Sequence, residues 1–211
     1  MTLEQELSQG IAALNIAVDA EARLRLLQYL SLLHKWNKVY NLTAIREPRK
    51  MLTHHLLDSL AVVPYLSGDA IADIGSGAGL PGIPLALARP DWSMTLVESN
   101  HKKAAFLTQA CIELKLTNAQ VIVEHVEAFN PQKKFSMVIS RAFSALAEFV
   151  ELAGHLCAAD GRLIAMKGVY PYDELESLPA NIVVDRVISL KIPGLEAERH
   201  LVIMGRNEWQ K

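Results

Sequence analysis

The sequence predicts an α/β protein: a seven-stranded, mostly parallel sheet with an antiparallel hairpin at one edge, preceded by a helical N-terminal appendage. Three observations predict it. From Ala70 onward, short apolar runs alternate with helix-length segments, the pattern of a parallel sheet covered on both faces. The last two apolar runs, "VVDRVISLKI" and "HLVIMGR", follow each other with no helix-length segment between them, as hairpin strands do. Residues 1–66 carry helical spacing only. The 211 residues, 51% of them hydrophobic, suffice for one well-buried unit with a small appendage.

In the appendage, Leu24, Leu27, Leu30, Leu33 and Trp36 recur at helical spacing. "EPRKMLTHHLLDSLAVVPYL" has Pro48 near its start and Pro64 near its end, both fitting helix boundaries better than a helix interior. In the main domain, placed at residues 67–211, "AIADIG" reads as the first strand and "PLALAR" as a helix. "SMTLVES" is the second strand, followed by the long helix "HKKAAFLTQACIELKL". "AQVIVEH", "FSMVIS" and "GRLIAMKG" are strands three to five, with the helix "ALAEFVELAGHL" before the fifth. The closing hairpin completes seven.

Composition narrows the function classes. A formal net charge of −2 excludes a polycation, so any nucleic-acid contact must come from a local patch. Cys111 and Cys157 lie far apart, both in apolar patterns read as helical, which suggests structural thiols and a reducing compartment. The acidic, polar start "MTLEQELSQG" is unlike a targeting peptide, and no uncharged apolar run approaches a membrane span. A cytoplasmic monomer with no membrane contact is the expectation.

The stretch "DIGSGAGLPGIP", Asp73 to Pro84, follows the first strand and raises the question of a ligand. A phosphate loop would end in Gly-Lys-Ser/Thr; here it ends Leu80-Pro81-Gly82, and no lysine follows before Lys102. Gly77, Gly79 and Gly82 match the dinucleotide fingerprint formally. Asp73, two residues before Gly75, argues against a pyrophosphate there, because like charges about 4 Å apart cost roughly 1 kcal/mol even in water. A cationic ligand suits it better, and S-adenosylmethionine carries an ammonium and a sulfonium. Glu98 ends the second strand, where a carboxylate can accept from both ribose hydroxyls; both cofactor classes use such a residue. A tight turn without a ligand leaves Asp73, Gly75, Gly77, Gly79 and Glu98 without a common reason.

Other chemistry is missing. The fourth strand ends in "VISRAF", without the Asn/Asp-Pro-Pro-aromatic set that serves adenine amines. Neither cysteine sits at a strand end, where a pyrimidine-attacking nucleophile would stand. No G-x-S-x-G or H-E-x-x-H occurs. In "THHLLDSL", His54 and Asp58 could supply two metal ligands at i,i+4, but no third is in view and no metal is expected.

Residues 34–50 hold Lys35, Lys38, Arg46, Arg49 and Lys50 against one acid, Glu47, with Trp36 and Tyr40 interleaved. That pattern suits RNA backbone contacts and base stacking; a solvated helix face with Trp36 in the core is the alternative. The acidic first 21 residues would face away from RNA. Lys167 closes the fifth strand at the carboxyl edge of the sheet, where ligands bind in such folds, unless it is a solvated lysine. Arg141 is a candidate donor to the substrate or an ion-pair arginine. Lys102–Lys103 and Lys133–Lys134 read as ordinary surface pairs.

The motifs "LHKWNKVYNLT", "HHLLDSL", "DIGSGAGLPGIPLA", "VISRAF" and "AERHL" resemble the glucose-inhibited division protein B family, the small-subunit ribosomal RNA methyltransferase G family of bacteria. The resemblance runs from about Leu33 to about Val202. It implies a Rossmann-like methyltransferase fold, S-adenosylmethionine, and N7 methylation of one guanine in 16S ribosomal RNA, free or in the small subunit. By matching motif it implies that Gly75 and Leu80 contact the cofactor, that Val126 and Glu127 line the adenine, and that Arg141 lies where cofactor and substrate meet. Arg199 and His200 would face the RNA. Ala197 stands where the family often has glycine, and His125 where it often has arginine. Guanine N7 has an in-plane lone pair and no proton to lose, so the missing base is consistent with this chemistry. A same-fold enzyme acting on a protein or small molecule, and a non-catalytic RNA-binding assembly factor, are the alternatives.

Overall fold

A computed structural model describes residues 1–143 and 145–207. Two helices open the chain, α1 (Leu3–Ala13) and α2 (Ala20–Tyr40). Side chains cap both: Thr2 and Gln5 form a reciprocal capping box on α1, and Asp19 accepts from Ala22 N–H at 2.7 Å on α2. Asn41, with φ +50°, ends α2 in the left-handed conformation that asparagine tolerates. The segment between Pro48 and Tyr65 is one helical path of four stretches in three geometries. α3 (Pro48–Met51) leads into a π-helical turn (Leu52–Leu57), then α4 (Asp58–Leu60) and a 3₁₀ turn (Val63–Tyr65). Pro48 and Pro64 stand at its ends, as their fixed φ and missing N–H require.

The sheet order is β3-β2-β1-β4-β5-β7-β6. β1 (Ala70–Ile74), β2 (Ser93–Val97), β3 (Ala119–Ile122), β4 (Phe135–Ser140) and β5 (Cys157–Lys167) are parallel. β6 (Ile182–Ser189) and β7 (His200–Arg206) add an antiparallel hairpin with β7 inserted against β5. The helices α5 (Gly82–Ala88), α6 (His101–Glu113), α7 (Leu146–Ala153) and α8 (Tyr172–Glu176) follow their strands. The fold class, all seven strands and the edge hairpin agree with the sequence reading. The short α8 is an addition. Cys157 is a correction: it opens β5 instead of lying in a helix. The run reads as helical because α7 and a 3₁₀ turn (Gly154–Leu156) lead directly into the strand.

Alternation along the strands builds two apolar layers. Ile71, Met137, Ile139, Ile164, Met166, Leu201 and Ile203 pack on one face with residues of α1, α2, the π-turn, α5 and α6. Ala72, Ile74, Val138, Leu163, Ala165, Val202 and Met204 pack on the other with Leu146, Phe149, Val150 and Ala153 of α7. Strands buried on both sides read as unbroken apolar runs, which is why the sequence displays them clearly. Leu7, Leu26, Leu33 and Leu57 belong to the first layer, so the N-terminal helices complete the core that covers one sheet face.

The order of strands reverses at β1, which pairs with β2 on one side and β4 on the other. In open α/β sheets the crevice beyond the carboxyl ends at such a point is where ligands bind. Here Ser140 Oγ donates to Ile74 O at 2.7 Å and accepts from Ala142 N–H at 3.1 Å. The ends of β1 and β4 are thereby stitched side by side. Gly82, the first residue of α5, packs tightly beneath: a Cβ there would meet Leu96 Cδ2 and lie 2.7 Å from Asp73 Oδ2. Gly82→Ala is expected to destabilise the protein by about 1–3 kcal/mol through overpacking, read as a lower midpoint in urea unfolding.

Candidate active site

The turn from β1 to α5 is held by three side chains. Asp73 has no exposed surface, and its Oδ2 accepts from Gly82 N–H at 3.0 Å, capping α5. Glu98, just past β2, accepts from Gly77 N–H through Oε2 and from Asn100 N–H through Oε1, both at 2.8 Å. Tyr29 of α2, fully buried, donates its hydroxyl to Ala78 O at 2.5 Å, and burial raises its pKa well above the ordinary value. Gly75 and Ser76 N–H also donate to Val97 O, at 2.9 and 3.1 Å. Gly75, Gly77 and Gly79 all have positive φ. At Gly75 (φ +66°) a Cβ would lie 2.8 Å from Ala142 Cβ, so a side chain would close the gap between the β1 and β4 ends.

Beside this turn lie two hollows that meet at Gly75. One, about 210 Å³, is lined by Ile74, Glu98, Val126, Glu127 and Phe143. The other, about 170 Å³, is lined by Leu42, Thr43, Gly75, Gly77, Leu80 and Arg141. A third cavity, about 350 Å³, is lined by Ile45, His54, His55, Asp58, Arg141, Lys167 and Arg199. Arg141 belongs to both the second hollow and the third cavity. Gly75 and Arg141, each lining two of them, place the three side by side, with the Glu98 carboxylate in the first and guanidinium groups in the third.

The residues fit an adenosyl ligand. Each oxygen of Glu98 accepts one backbone bond, and a carboxylate oxygen has two lone-pair sites, so acceptors remain for two hydroxyls. Val126 and Phe143 supply apolar wall. Asp73 stands differently from its expected place: it lies under the turn and does not line either hollow. Its Oδ1 is buried without a hydrogen-bond partner, and burial raises its pKa to about 7, against the lowering effect of the Gly82 amide.

Of the cations proposed for RNA, Arg141, Lys167 and Arg199 converge on the third cavity. Lys167 is ion-paired with Glu174 at 2.8 Å. His200 is buried beside them, edge-on to Tyr170 at 5.4 Å between centroids, and does not line the cavity. Lys35, Lys38, Arg46 and Arg49 stay on the exposed surface outside it. Arg49 ion-pairs with Glu6 at 3.4 Å and donates to Met1 O at 3.0 Å, so the acidic N-terminus meets the basic stretch at this residue. Trp36 stacks on Tyr40 and packs against buried Phe106, with centroids 5.1 and 5.6 Å apart. Burial pushes the Cys157 thiol up to about 11, as expected of a structural cysteine.

Several residues of the site lie within the stretches "LHKWNKVYNLT" and "HHLLDSL" but were given no role there. Asn37 of α2 holds the loop after it: Asn37 Nδ2 donates to Ile45 O at 3.2 Å and Oδ1 accepts from Thr43 N–H at 2.8 Å. Thr43 Oγ1 lies 2.9 Å from His55 Nε2. Burial, with Arg141 nearby, lowers the His55 pKa to about 4, so its ring is neutral near pH 7. Asp58, 1% exposed, receives Arg141 Nη1 at 3.1 Å and Arg199 Nε at 2.9 Å on separate oxygens.

Comparison with solved structures shows the fold. A SAM-dependent methyltransferase from Aquifex aeolicus superposes with a TM-score of 0.57 at 17% identity, covering 82% of this chain and 97% of its own. A glycopeptide N-methyltransferase solved with S-adenosyl-L-homocysteine gives a TM-score of 0.60 at 9% identity, covering 72% and 87%. The fold is that of S-adenosylmethionine-dependent methyltransferases. Within that class, the family model for rRNA small subunit methyltransferase G matches residues 23–202. The ribosomal RNA small subunit methyltransferase G of Nitrosospira multiformis is 59% identical over 95% of this chain and 96% of its own. That of Laribacter hongkongensis is 56% identical over 97% and 99%. The chain belongs to the rRNA small subunit methyltransferase G family.

The raised pKa of Asp73 has a sign that can be measured. The folded state binds that proton more tightly than the unfolded chain, so its contribution is fully present below the ordinary carboxyl value of 3.8 and is lost as pH rises towards about 7. Asp73→Asn removes the charge and can keep the acceptor for Gly82. The variant is expected to gain stability relative to the parent between pH 5 and pH 8, in urea unfolding of the ligand-free protein at the two pH values.

Proposed function

We propose that this chain transfers the methyl group of S-adenosylmethionine to N7 of one guanine in 16S ribosomal RNA, presented as free RNA or within the small subunit. One observation carries the reading: Arg141 lines both the hollow beside the glycine turn and the guanidinium-lined cavity. The substrate class follows the names of the relatives. S-adenosylmethionine supplies, when bound, a methyl group activated by a positively charged sulfur.

The chain's residues bind and orient. Glu98 accepts from the ribose hydroxyls, and the hollow beside Val126 and Glu127 takes the adenine and excludes water from it. The Gly75–Leu80 turn leaves room for the remainder of the donor next to Arg141. Asp73 acts through the turn, holding α5 in position by its bond to Gly82, and its buried charge favours a cation nearby. Lys167 and Arg199 hold the RNA side of the cavity; Lys35, Lys38, Arg46 and Arg49 give the basic surface beyond it. N7 attack needs no general base, because no proton leaves the nitrogen before the bond forms. Alignment of N7 with the methyl carbon, roughly 3 Å apart, is the main contribution required of the protein. Neutral His55 beside the cavity adds no further positive charge where the purine becomes cationic.

Transfer of tritiated methyl to 16S ribosomal RNA lacking the modification, followed by nucleoside mass spectrometry, is expected to yield 7-methylguanosine at one position. Label on a different atom, or on protein alone, contradicts the reading. Arg141→Ala is expected to lower kcat/KM roughly 100-fold while the melting temperature stays within a few degrees. Glu98→Gln is expected to weaken S-adenosylhomocysteine about tenfold by calorimetry.

A further inference from the structure

Among the described residues, Asp58 is the only carboxylate lining the 350 Å³ cavity, and it is 1% exposed. Its two oxygens are divided between two guanidinium groups that come from distant parts of the chain. Arg141, which follows β4, gives Nη1 to Oδ2 at 3.1 Å and to His54 O at 3.3 Å. Arg199, which precedes β7, gives Nε to Oδ1 at 2.9 Å and Nη1 to Glu198 O at 2.8 Å. Both arginines are partly exposed, at 28% and 22%. Arg141 Nε and Nη2 and Arg199 Nη2 make no hydrogen bond to the described residues.

The charges at the cavity leave a definite remainder. Asp58 cancels one of the two guanidinium charges, and Glu174 cancels Lys167. One positive charge is left over, beside donors arranged on two forks. One phosphodiester of a nucleic acid carries one negative charge and two acceptor oxygens. Guanidinium forks suit such a group better than ammonium groups do, because their planar donors match its oxygens.

We infer that Asp58 is a positioning residue that sets Arg141 and Arg199 as a two-arginine clamp on a single phosphodiester of the RNA substrate. The inference rests on the proposed RNA methylation and adds to it a site for one backbone phosphate within the cavity. An isolated pair of arginines repels, and each has several rotamers. Asp58 holds both at once, so the clamp is formed before the RNA arrives. The π-helical turn that ends at Leu57 sets where Asp58 enters the cavity wall.

Asp58→Asn makes a test with opposite signs. If Asp58 only neutralises charge or fills space, its removal adds one positive charge beside the RNA, and binding tightens or stays the same. The clamp requires the reverse: kcat/KM on unmethylated 16S ribosomal RNA falls about tenfold or more, chiefly through KM. The slope of log affinity against log salt also falls by about one, the signature of a lost phosphate contact. Arg199→Lys keeps the charge but cannot bond Asp58 and a phosphate as Arg does, and is expected to weaken RNA binding about tenfold. This variant decides the matter if Asp58→Asn does not fold, as judged by its melting curve. Parent-like turnover, affinity and salt slope in both folded variants overturn the clamp and leave the methylation reading standing. Absence of methyl transfer to 16S RNA by the parent protein overturns that reading, and the clamp with it.

Discussion

The Asp73 carboxylate, sealed from solvent, accepts the Gly82 amide at 3.0 Å beneath the turn that joins β1 to α5. The carboxyl edge of the sheet is organised around that bond. A turn with three glycines at positive φ has little preference of its own, so its course is set by what grips it. Asp73 holds it from the strand before, Glu98 from the end of the neighbouring strand, and Tyr29 from a helix in the N-terminal segment. The cost is a desolvated carboxylate whose pKa rises to about 7. A carboxylate placed so deeply supports the turn mechanically and still makes its surroundings favourable to a cation.

The second organising group is Asp58, which does for the cavity past Arg141 what Asp73 does for the turn. It gathers two arginines separated from it by 83 and 141 residues. Arg141 connects the two halves, since it lines both the hollow beside the glycine turn and the cavity around Asp58. The N-terminal helices take part in both halves. Tyr29 reaches the turn, while Asn37 orders the loop whose Leu42, Thr43 and Ile45 line the hollow and the cavity.

Much of this was legible in the sequence, for physical reasons. Gly75, Leu80, Glu98, Val126 and Arg141 come together because each lies just beyond the carboxyl end of a strand, and the strands are adjacent. Spacing along the chain pointed to Gly75 and Glu98, and the family resemblance supplied Leu80 and Val126. Tyr29, Asn37 and Asp58 were not legible as site residues, because their roles depend on contacts across the fold that no local period encodes. Asp58 drew notice within "HHLLDSL" and as half of an incomplete metal motif, and neither reading pointed to the two arginines its oxygens serve. The π-helical turn was hidden too, since a run of apolar residues at about helical spacing does not distinguish a 3.6-residue turn from a wider one. Cys157 was misread because β5 starts directly after a helical turn, with no glycine or proline to mark the change.

In the proposed function, the glycine turn and Glu98 hold the cofactor and the cavity past Arg141 receives the RNA. A crystal structure of the protein with S-adenosylhomocysteine tests it most directly. The account predicts the ribose on Glu98, the adenine between Val126 and Phe143, and the homocysteine sulfur beside Arg141, facing the cavity around Asp58. Adenosine bound elsewhere, or the sulfur turned away from Arg141, would contradict it.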